Sequence, residues 1–301
     1  MDRRKFLKYA AVTGCGIALG EDIFCLSSTE AADKYDLVVA QGKGKSPSSI
    51  TNAAINEFGG MRNFISRGDI VVIKPNIGWD RLPEQAANTN PEVVAAIVKL
   101  CFDAGAKKVR VFDRTVNDPR RCYKQSGISD AVSSLGAELS YIDDRRFSDM
   151  PIKGQVLKSW PLYRDLFEAD KIINVPIAKH HGLAKLTMAM KNWMGVMGGE
   201  RGRIHQKIGE SLADICLVVK PTLTVLDAVR ILTANGPQGG NLNDVKRLDT
   251  IVVSADQVAI DSYGATLFGM KGSDLSYVKA GAAIGIGTMD LSKLKIKTLN
   301  V

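Results

Sequence analysis

Five short apolar runs, each closed by polar or turn residues, constrain this chain more than any other feature. They are Asp36–Ala40 (DLVVA), Asp69–Lys74 (DIVVIK), Lys108–Asp113 (KVRVFD), Lys171–Pro176 (KIINVP) and Thr250–Ser254 (TIVVS). A near-continuous apolar run of this length reads as a strand buried on both faces, the habit of parallel sheets. Glu138–Ile142 and Leu223–Asp227 add two further strands. Segments with helical spacing alternate with them: Ser48–Phe58, Ser126–Leu135, Leu162–Glu168, Leu183–Met194, Ile208–Val219, Gln257–Leu267 and Leu275–Ala283. Another helix opens at Asn90-Pro91, where Asn90 suits the cap and Pro91 the first turn. Its stripe is Val94, Ile97, Val98 and Cys101, and Gly105 ends it. Strands and helices alternating along the whole length predict an α/β fold: a mostly parallel, doubly wound sheet with helices on both faces.

The 301 residues are enough for one large core. No run of about 18 apolar residues follows the N-terminus, so the mature chain is not expected to span a membrane. Residues 1–32 read as an export signal preceding a single domain over 33–301. The twin arginine Arg3-Arg4 is followed by Phe6-Leu7-Lys8 and a short apolar stretch. This resembles a twin-arginine signal, whose route delivers folded proteins to the bacterial periplasm; a plain basic N-terminal helix is the simpler reading. Val12-Thr13-Gly14-Cys15 resembles a lipid-attachment site at Cys15, but the apolar run before it is short, and cleavage near Ala31 or Ala32 is favoured.

Removing residues 1–32 takes away four basic and four acidic side chains and leaves the net charge at +8. A basic exported protein suits a small anionic ligand or an anionic surface and does not call for nucleic acid. Cys101, Cys122 and Cys216 remain, an odd and widely spaced set that makes a poor disulfide framework. Without any CxxC, neither a cysteine zinc site nor an iron–sulfur cluster is expected.

Several expected strands end in polar residues: Lys74-Pro75-Asn76, Asp113-Arg114, Lys179-His180-His181 and Asp227. C-terminal strand ends of a parallel sheet share one edge, where ligands bind. Lys179–Gly195 (KHHGLAKLTMAMKNWMG) is the densest stretch. Lys74, Lys179 and Lys191 are candidate anion holders, with Asn76 and Asn192 beside them; Lys185 reads as solvated surface. Burial of Lys191 lowers its basicity toward general-base duty. Of His180 and His181 only one can readily face a pocket, as base or metal ligand. Gly198–Arg203 (GGERGR) offers Arg201 and Arg203 as a phosphate or carboxylate cradle, a lid, or a surface turn. Asp113 and Asp227 are the candidate ligands of a divalent metal, although no HxH, HxxxH or HExxH spacing is present. Asp256 reads as a helix cap, and Asp261 sits among apolar neighbours without an obvious surface role. Trp79 is a candidate pocket wall. No dinucleotide fingerprint, P-loop or GxSxG elbow occurs.

The set KPNIG (Lys74–Gly78), TNP (Thr89–Pro91), KHH-x4-LT-x3-KN-x2-G (Lys179–Gly195), LDA (Leu226–Ala228) and SADQVAIDSYG (Ser254–Gly264) resembles the DUF362 family. The resemblance covers roughly residues 36–290. It implies an α/β fold and no established reaction. Some members carry ferredoxin-type cluster motifs, which this chain lacks.

The leading expectation is therefore an exported periplasmic enzyme acting on a small carboxylate or phosphate. In it Lys74, Lys179 and Lys191 hold the anion, His180 or His181 moves protons, and Asp113 and Asp227 orient the base or hold a metal. Two rivals remain: a non-catalytic anion-binding protein, and an accessory partner of a membrane redox complex.

Overall fold

The computed structural model describes residues 34–301. The expected export signal, Arg3-Arg4 and Cys15 lie outside the described residues. Twelve strands run in chain order: β1 Leu37–Gln41, β2 Ile70–Pro75, β3 Lys108–Val111, β4 Glu138–Leu139, β5 Phe147–Pro151, β6 Ser159–Tyr163, β7 Lys171–Val175, β8 Ile177–His181, β9 Lys185–Thr187, β10 Leu223–Leu232, β11 Val245–Ser254 and β12 Ile296–Asn300. Ten of them form one sheet with the order β12-β1-β11-β10-β7-β2-β3-β4, and β8 and β9 attach to β10. β5 and β6 pair as a separate hairpin.

The sheet is mixed and mostly parallel, in an α/β fold. β4, β3, β2, β7 and β10 run parallel to one another. β11 is antiparallel to both β1 and β10, and β12 is parallel to β1. Alternate strand residues serve opposite faces because the side-chain period is two. Val71 and Ile73 pack into one core with the helices Pro47–Glu57 and Pro91–Asp103. Val72 packs into the other with Ile208–Val218, Gln257–Thr266 and Ser276–Ala283. The near-continuous apolar runs of the sequence are the consequence. Among the described residues no helix is long and apolar enough to cross a membrane.

The helix starts follow local chemistry. Ser46, Asn90 and Asp256 cap their helices, accepting from the N–H groups of Ser49, Glu92, and Val258 with Ala259 respectively. The second oxygen of Asp256 accepts from Thr288 N at 2.7 Å. Cys101, Cys122 and Cys216 are free and buried.

Several segments differ from expectation. Leu183–Met194 is not one helix. Pro176 ends β7, having no N–H for the ladder, and the chain resumes as β8, turns, and returns as β9, with Lys179 opposite Thr187. Only Ala189–Asn192 is α-helical. The turn is made by His181, whose Nδ1 accepts from Leu183 N and Ala184 N at 3.1 and 3.2 Å. Pairing of β9 with β8, itself laid against β10, overrides the helical propensity of Leu, Ala, Lys and Met. The helix expected over Ser126–Leu135 shrinks to Ile128–Ser133, preceded by another at Pro119–Gln125. Leu162 belongs to β6 rather than to the helix Arg164–Glu168.

The short helix at Ala189 hangs on one carboxylate. Asp261 is fully buried and accepts from Ala189 N at 2.6 Å and Met190 N at 2.9 Å. Asp261→Ala strands both donors, and the expected loss is roughly 2–4 kcal/mol of folding stability. Urea unfolding checks this; a loss below about 0.5 kcal/mol contradicts the anchoring role.

Candidate functional site

The crevice begins where β2 and β7 part. Their registers match as far as Pro75 and Val175. Beyond that point β8 follows β10, while the chain after β2 turns the other way through Asn76–Gly78. Such a divergence at the C-terminal edge of parallel strands is where open α/β sheets bind ligands. A cavity of about 500 Å³ lies there. Its wall includes Lys74, Asn76, Trp79, Asp113, Arg114, Lys179, His181, Thr187, Lys191, Asn192, Arg201 and His205.

Lys74 stands at the base, fully buried. Its ammonium donates to Pro75 O at 2.8 Å and Asn192 Oδ1 at 3.0 Å, and pairs with Asp113 Oδ1 at 2.7 Å. The other oxygen of Asp113 accepts from Ile77 N at 2.6 Å. Burial pushes the Lys74 amine below its ordinary value, and the Asp113 carboxylate pulls it back up. Gly195 passes so close that a Cβ there would lie 1.7 Å from Asp113 Oδ1 and 2.5 Å from Lys74 Nζ. The glycine closing the Lys179–Gly195 stretch is therefore a spatial requirement of the ion pair.

A directional chain of amides runs above this pair. Lys179 donates to Asn76 Oδ1 at 2.9 Å and to Ala87 O. Asn76 Nδ2 donates to Asn192 Oδ1 at 3.0 Å. Asn192 Nδ2 donates to Lys74 O at 3.1 Å and Asn174 Oδ1 at 2.8 Å, and Asn174 Nδ2 donates to Ala189 O at 3.0 Å. Every polar atom of Asn192 is thereby engaged, which fixes the lysines on either side.

Lys191 differs. It is 6% exposed, and its amine has one partner among the described residues, the Met194 sulfur at 3.2 Å. Burial, then the nearby Arg201 guanidinium, lower its pKa to about 7. Lys179 is likewise lowered to about 7, by burial first and then by Lys191. Thr187 is buried with its hydroxyl unpartnered. Buried polar groups without partners are costly and rare in folded proteins. Lys191 and Thr187 thus stand on one cavity wall with no oxygen or nitrogen partner among the described residues.

His181 also lines the cavity. Because its Nδ1 accepts two backbone N–H groups, its neutral ring carries the proton on Nε2. Burial, then Lys191, hold its pKa down to about 3, so it is neutral at physiological pH. His205 stacks on it with centroids 5.7 Å apart and planes 18° from parallel. Burial lowers His205 as well.

Of the residues singled out in the sequence, Lys74, Asn76, Asp113, Lys179, His181, Lys191, Asn192 and Arg201 meet at this cavity, and Trp79 forms part of its wall. Three do not. His180 sits on the opposite face of β8, and its Nδ1 accepts from Gly236 N at 3.0 Å, tying down that loop. Arg203 is exposed beside Glu200, 3.8 Å away. Asp227 is buried within β10, accepting from Asn90 N at 2.7 Å and Val229 N at 3.0 Å. Burial raises Asp227 to about 6 against those two bonds. Arg201 donates to the carbonyls of Arg114, Met194 and Thr115, so the GGERGR loop is pinned across one side of the cavity. Thr187, Arg114 and Met194 were not singled out as site residues. Thr187 falls within the KHH…KN motif, but its place beside Lys179 comes from a hairpin that the sequence reads as helix.

These side chains do not fit a divalent cation. Asp113 is the sole carboxylate on a wall with five lysines and arginines, and both its oxygens are engaged. Asp227 lies elsewhere, and no cluster of three His, Cys, Asp or Glu occurs among the described residues.

The two depressed lysines give a pH signature. A lysine lowered from 10.5 to about 7 adds stability that is fully present above its unfolded pKa and is lost as pH falls through 7. Stability is expected to climb between pH 7 and 10.5 with about one proton of slope for each of Lys179 and Lys191. Urea unfolding across that window reads the slope. Lys191→Met should remove one proton's worth, and an unchanged slope contradicts a buried, depressed amine.

A family model described as a domain of unknown function, DUF362, matches residues 71–266. The chain is 28% identical over 215 residues to a thylakoid-associated protein of Synechocystis, a match covering 69% of this chain and 65% of that protein. It thus spans less than two thirds of that relative. Among solved structures it resembles a Thermotoga maritima protein from a structural genomics consortium at TM-score 0.47 and 10% identity, covering 74% of this chain and 59% of the other. It also resembles a lactate racemase apoprotein from Thermoanaerobacterium thermosaccharolyticum at TM-score 0.42 and 11% identity, covering 76% and 56%.

Proposed function

The chain belongs to the DUF362 family, and we propose that it is an enzyme moving a proton next to the carbonyl of a small molecule that carries a carboxylate or phosphate. One observation carries the reading. Lys191 and Thr187 are buried on the wall of a cationic cavity without an oxygen or nitrogen partner. An anion supplies the missing acceptors and compensates the excess charge.

The roles follow from geometry. Lys179, held by Asn76 and Ala87, keeps its remaining donor capacity for the anion. Lys74 is neutralised by Asp113 and sets the base of the site rather than gripping the ligand. His181 presents Nε2–H, a neutral donor suited to the carbonyl oxygen. Lys191, with an amine that loses its proton near pH 7, accepts the proton from carbon. The histidine is thus the electrophile rather than the proton carrier read from sequence, and the lysine keeps the general-base duty that its setting in the sequence suggests. His180 supports the Gly236 loop.

Proton NMR in D2O tests this with pyruvate, 2-oxoglutarate, glyceraldehyde 3-phosphate and dihydroxyacetone phosphate as probes. The wild type is expected to speed deuterium entry beside the carbonyl of at least one of them. Lys191→Met should slow it by about 10²–10⁴-fold, and Lys179→Met should weaken binding instead. Exchange at the wild-type rate in Lys191→Met ends the base assignment. Phosphate or carboxylate binding without exchange across the panel identifies an anion-binding protein.

We further propose that the chain is exported by the twin-arginine route, on the strength of Arg3-Arg4 followed by Phe6-Leu7-Lys8. Replacing Arg3 and Arg4 by lysine should hold the precursor in the cytoplasm; undiminished export removes the assignment.

A further inference from the structure

We propose that Lys191 works covalently: its amine condenses with the carbonyl carbon of an anionic 2-oxo acid or phosphorylated aldehyde or ketone to form an imine. The inference rests on the reading of the cavity as a site for a small anionic carbonyl compound, and replaces the base role given there to Lys191 with a covalent one.

The three buried lysines are not equivalent. Lys74 has three acceptors for its three protons: Pro75 O, Asn192 Oδ1 and Asp113 Oδ1. That set suits a permanently protonated ammonium, which has no lone pair. Lys179 donates to Asn76 Oδ1 and Ala87 O, which fixes its nitrogen. Lys191 meets only the Met194 thioether, a weak acceptor, and faces the cavity. An ammonium there lacks the acceptors its burial demands, whereas a neutral amine does not need them. The adjacent Arg201 cation disfavours protonation further. A desolvated lysine beside another cation is the setting in which an amine becomes nucleophilic at neutral pH.

The remaining parts are in place. The Lys191 nitrogen attacks the carbonyl carbon, and the π electron pair moves to oxygen, where the His181 Nε2–H receives it. One proton passes from nitrogen to that oxygen and gives the carbinolamine. A second proton, taken up from solvent by the hydroxyl, lets the nitrogen lone pair expel it as water, and the protonated C=N bond forms. Amine plus carbonyl plus one proton gives protonated imine plus water, with no change of oxidation state. The protonated imine withdraws electrons from the neighbouring C–H more strongly than the parent carbonyl does. Lys191 is then bonded to the substrate and cannot be the base for that C–H. His205, stacked on His181 and also on the cavity wall, takes that part.

Reductive trapping tests this on the full chain. The protein is incubated at pH 7.5 with pyruvate or glyceraldehyde 3-phosphate, reduced with sodium cyanoborohydride and mapped by peptide mass spectrometry. The expected result is one equivalent of secondary amine on Lys191, formed on the order of a thousandfold faster than on exposed lysines, as the larger unprotonated fraction dictates. Lys191→Arg, which keeps bulk and charge, should lose that adduct while retaining a folded melting transition. Carbonyl oxygen should also exchange with 18O-labelled water at the rate of deuterium entry. Deuterium entry without trapping or 18O exchange overturns the imine and leaves the non-covalent proton transfer standing. Trapping at Lys179 instead, or evenly over exposed lysines, also overturns it. Loss of deuterium entry, trapping and 18O exchange together overturns both readings.

Discussion

The buried ion pair between Lys74 and Asp113 is the constraint on which the rest of the site depends. It joins the ends of β2 and β3, and through Asn192 it reaches the short helix after β9. The separation at Gly195 forces that backbone to lie directly over the pair. A buried pair of this kind is not a strong source of net stability, since desolvation offsets most of the attraction. Removing one member is a different matter, because it leaves the other charge buried and unpaired. Its value here is positional. It closes the base of the crevice and removes Lys74 from competition for a ligand, so the uncompensated charge belongs to Lys179 and Lys191.

That division explains how three buried lysines coexist in one region. Lys74 is compensated by a carboxylate, and Lys179 is held by neutral oxygens. Lys191 is left with a sulfur and an unfavourable neighbour. The same desolvation that makes the group costly as a cation makes it useful as an amine. Local consistency gives way at this point in an otherwise well-satisfied network, and such departures concentrate at functional sites.

Much of the fold was legible because burial on both faces leaves a mark that needs no partner to be read. DIVVIK and KIINVP are strands within one residue of their apolar runs, and Asn90 and Asp256 announce their helices by capping chemistry. The stretch from Leu183 to Met194 was not legible, since its leucine, alanine, lysine and methionine content favours helix. What decides it is non-local: the extended β10 offers a ladder, and the His181 ring captures two N–H groups of the turn. The site residues were legible as types and not as roles. Strand geometry places His180 and His181 on opposite faces, so one reaches the cavity and the other supports a loop. Asp113 and Asp227 look alike in sequence, yet one answers a lysine and the other two backbone N–H groups. Thr187 stands in the KHH…KN motif without a legible role, because its relevance arises from an antiparallel pairing with Lys179.

The ordering of acid strengths around the cavity follows from one cause acting on unlike groups. Burial disfavours charge, so it lowers both imidazole and amine. His181 is lowered to about 3, and the backbone N–H groups at Nδ1 oppose its second proton as well. Lys191 starts far higher and is brought only to about 7. Between those values the ring is a neutral donor and the amine still carries a charge that attracts an anion. Near 7 the amine begins to release its proton while the ring stays a donor. A bound carboxylate or phosphate pulls the lysine back toward its charged form, so ligand and base compete for the same proton. Lys179, lowered to about 7 as well, is held by Asn76 and Ala87, and in the proposed reaction it shares the anion with Lys191. The two lysines are therefore distinguished by their partners and not by their acid strength: one is fixed by two oxygens, and the other meets only a sulfur.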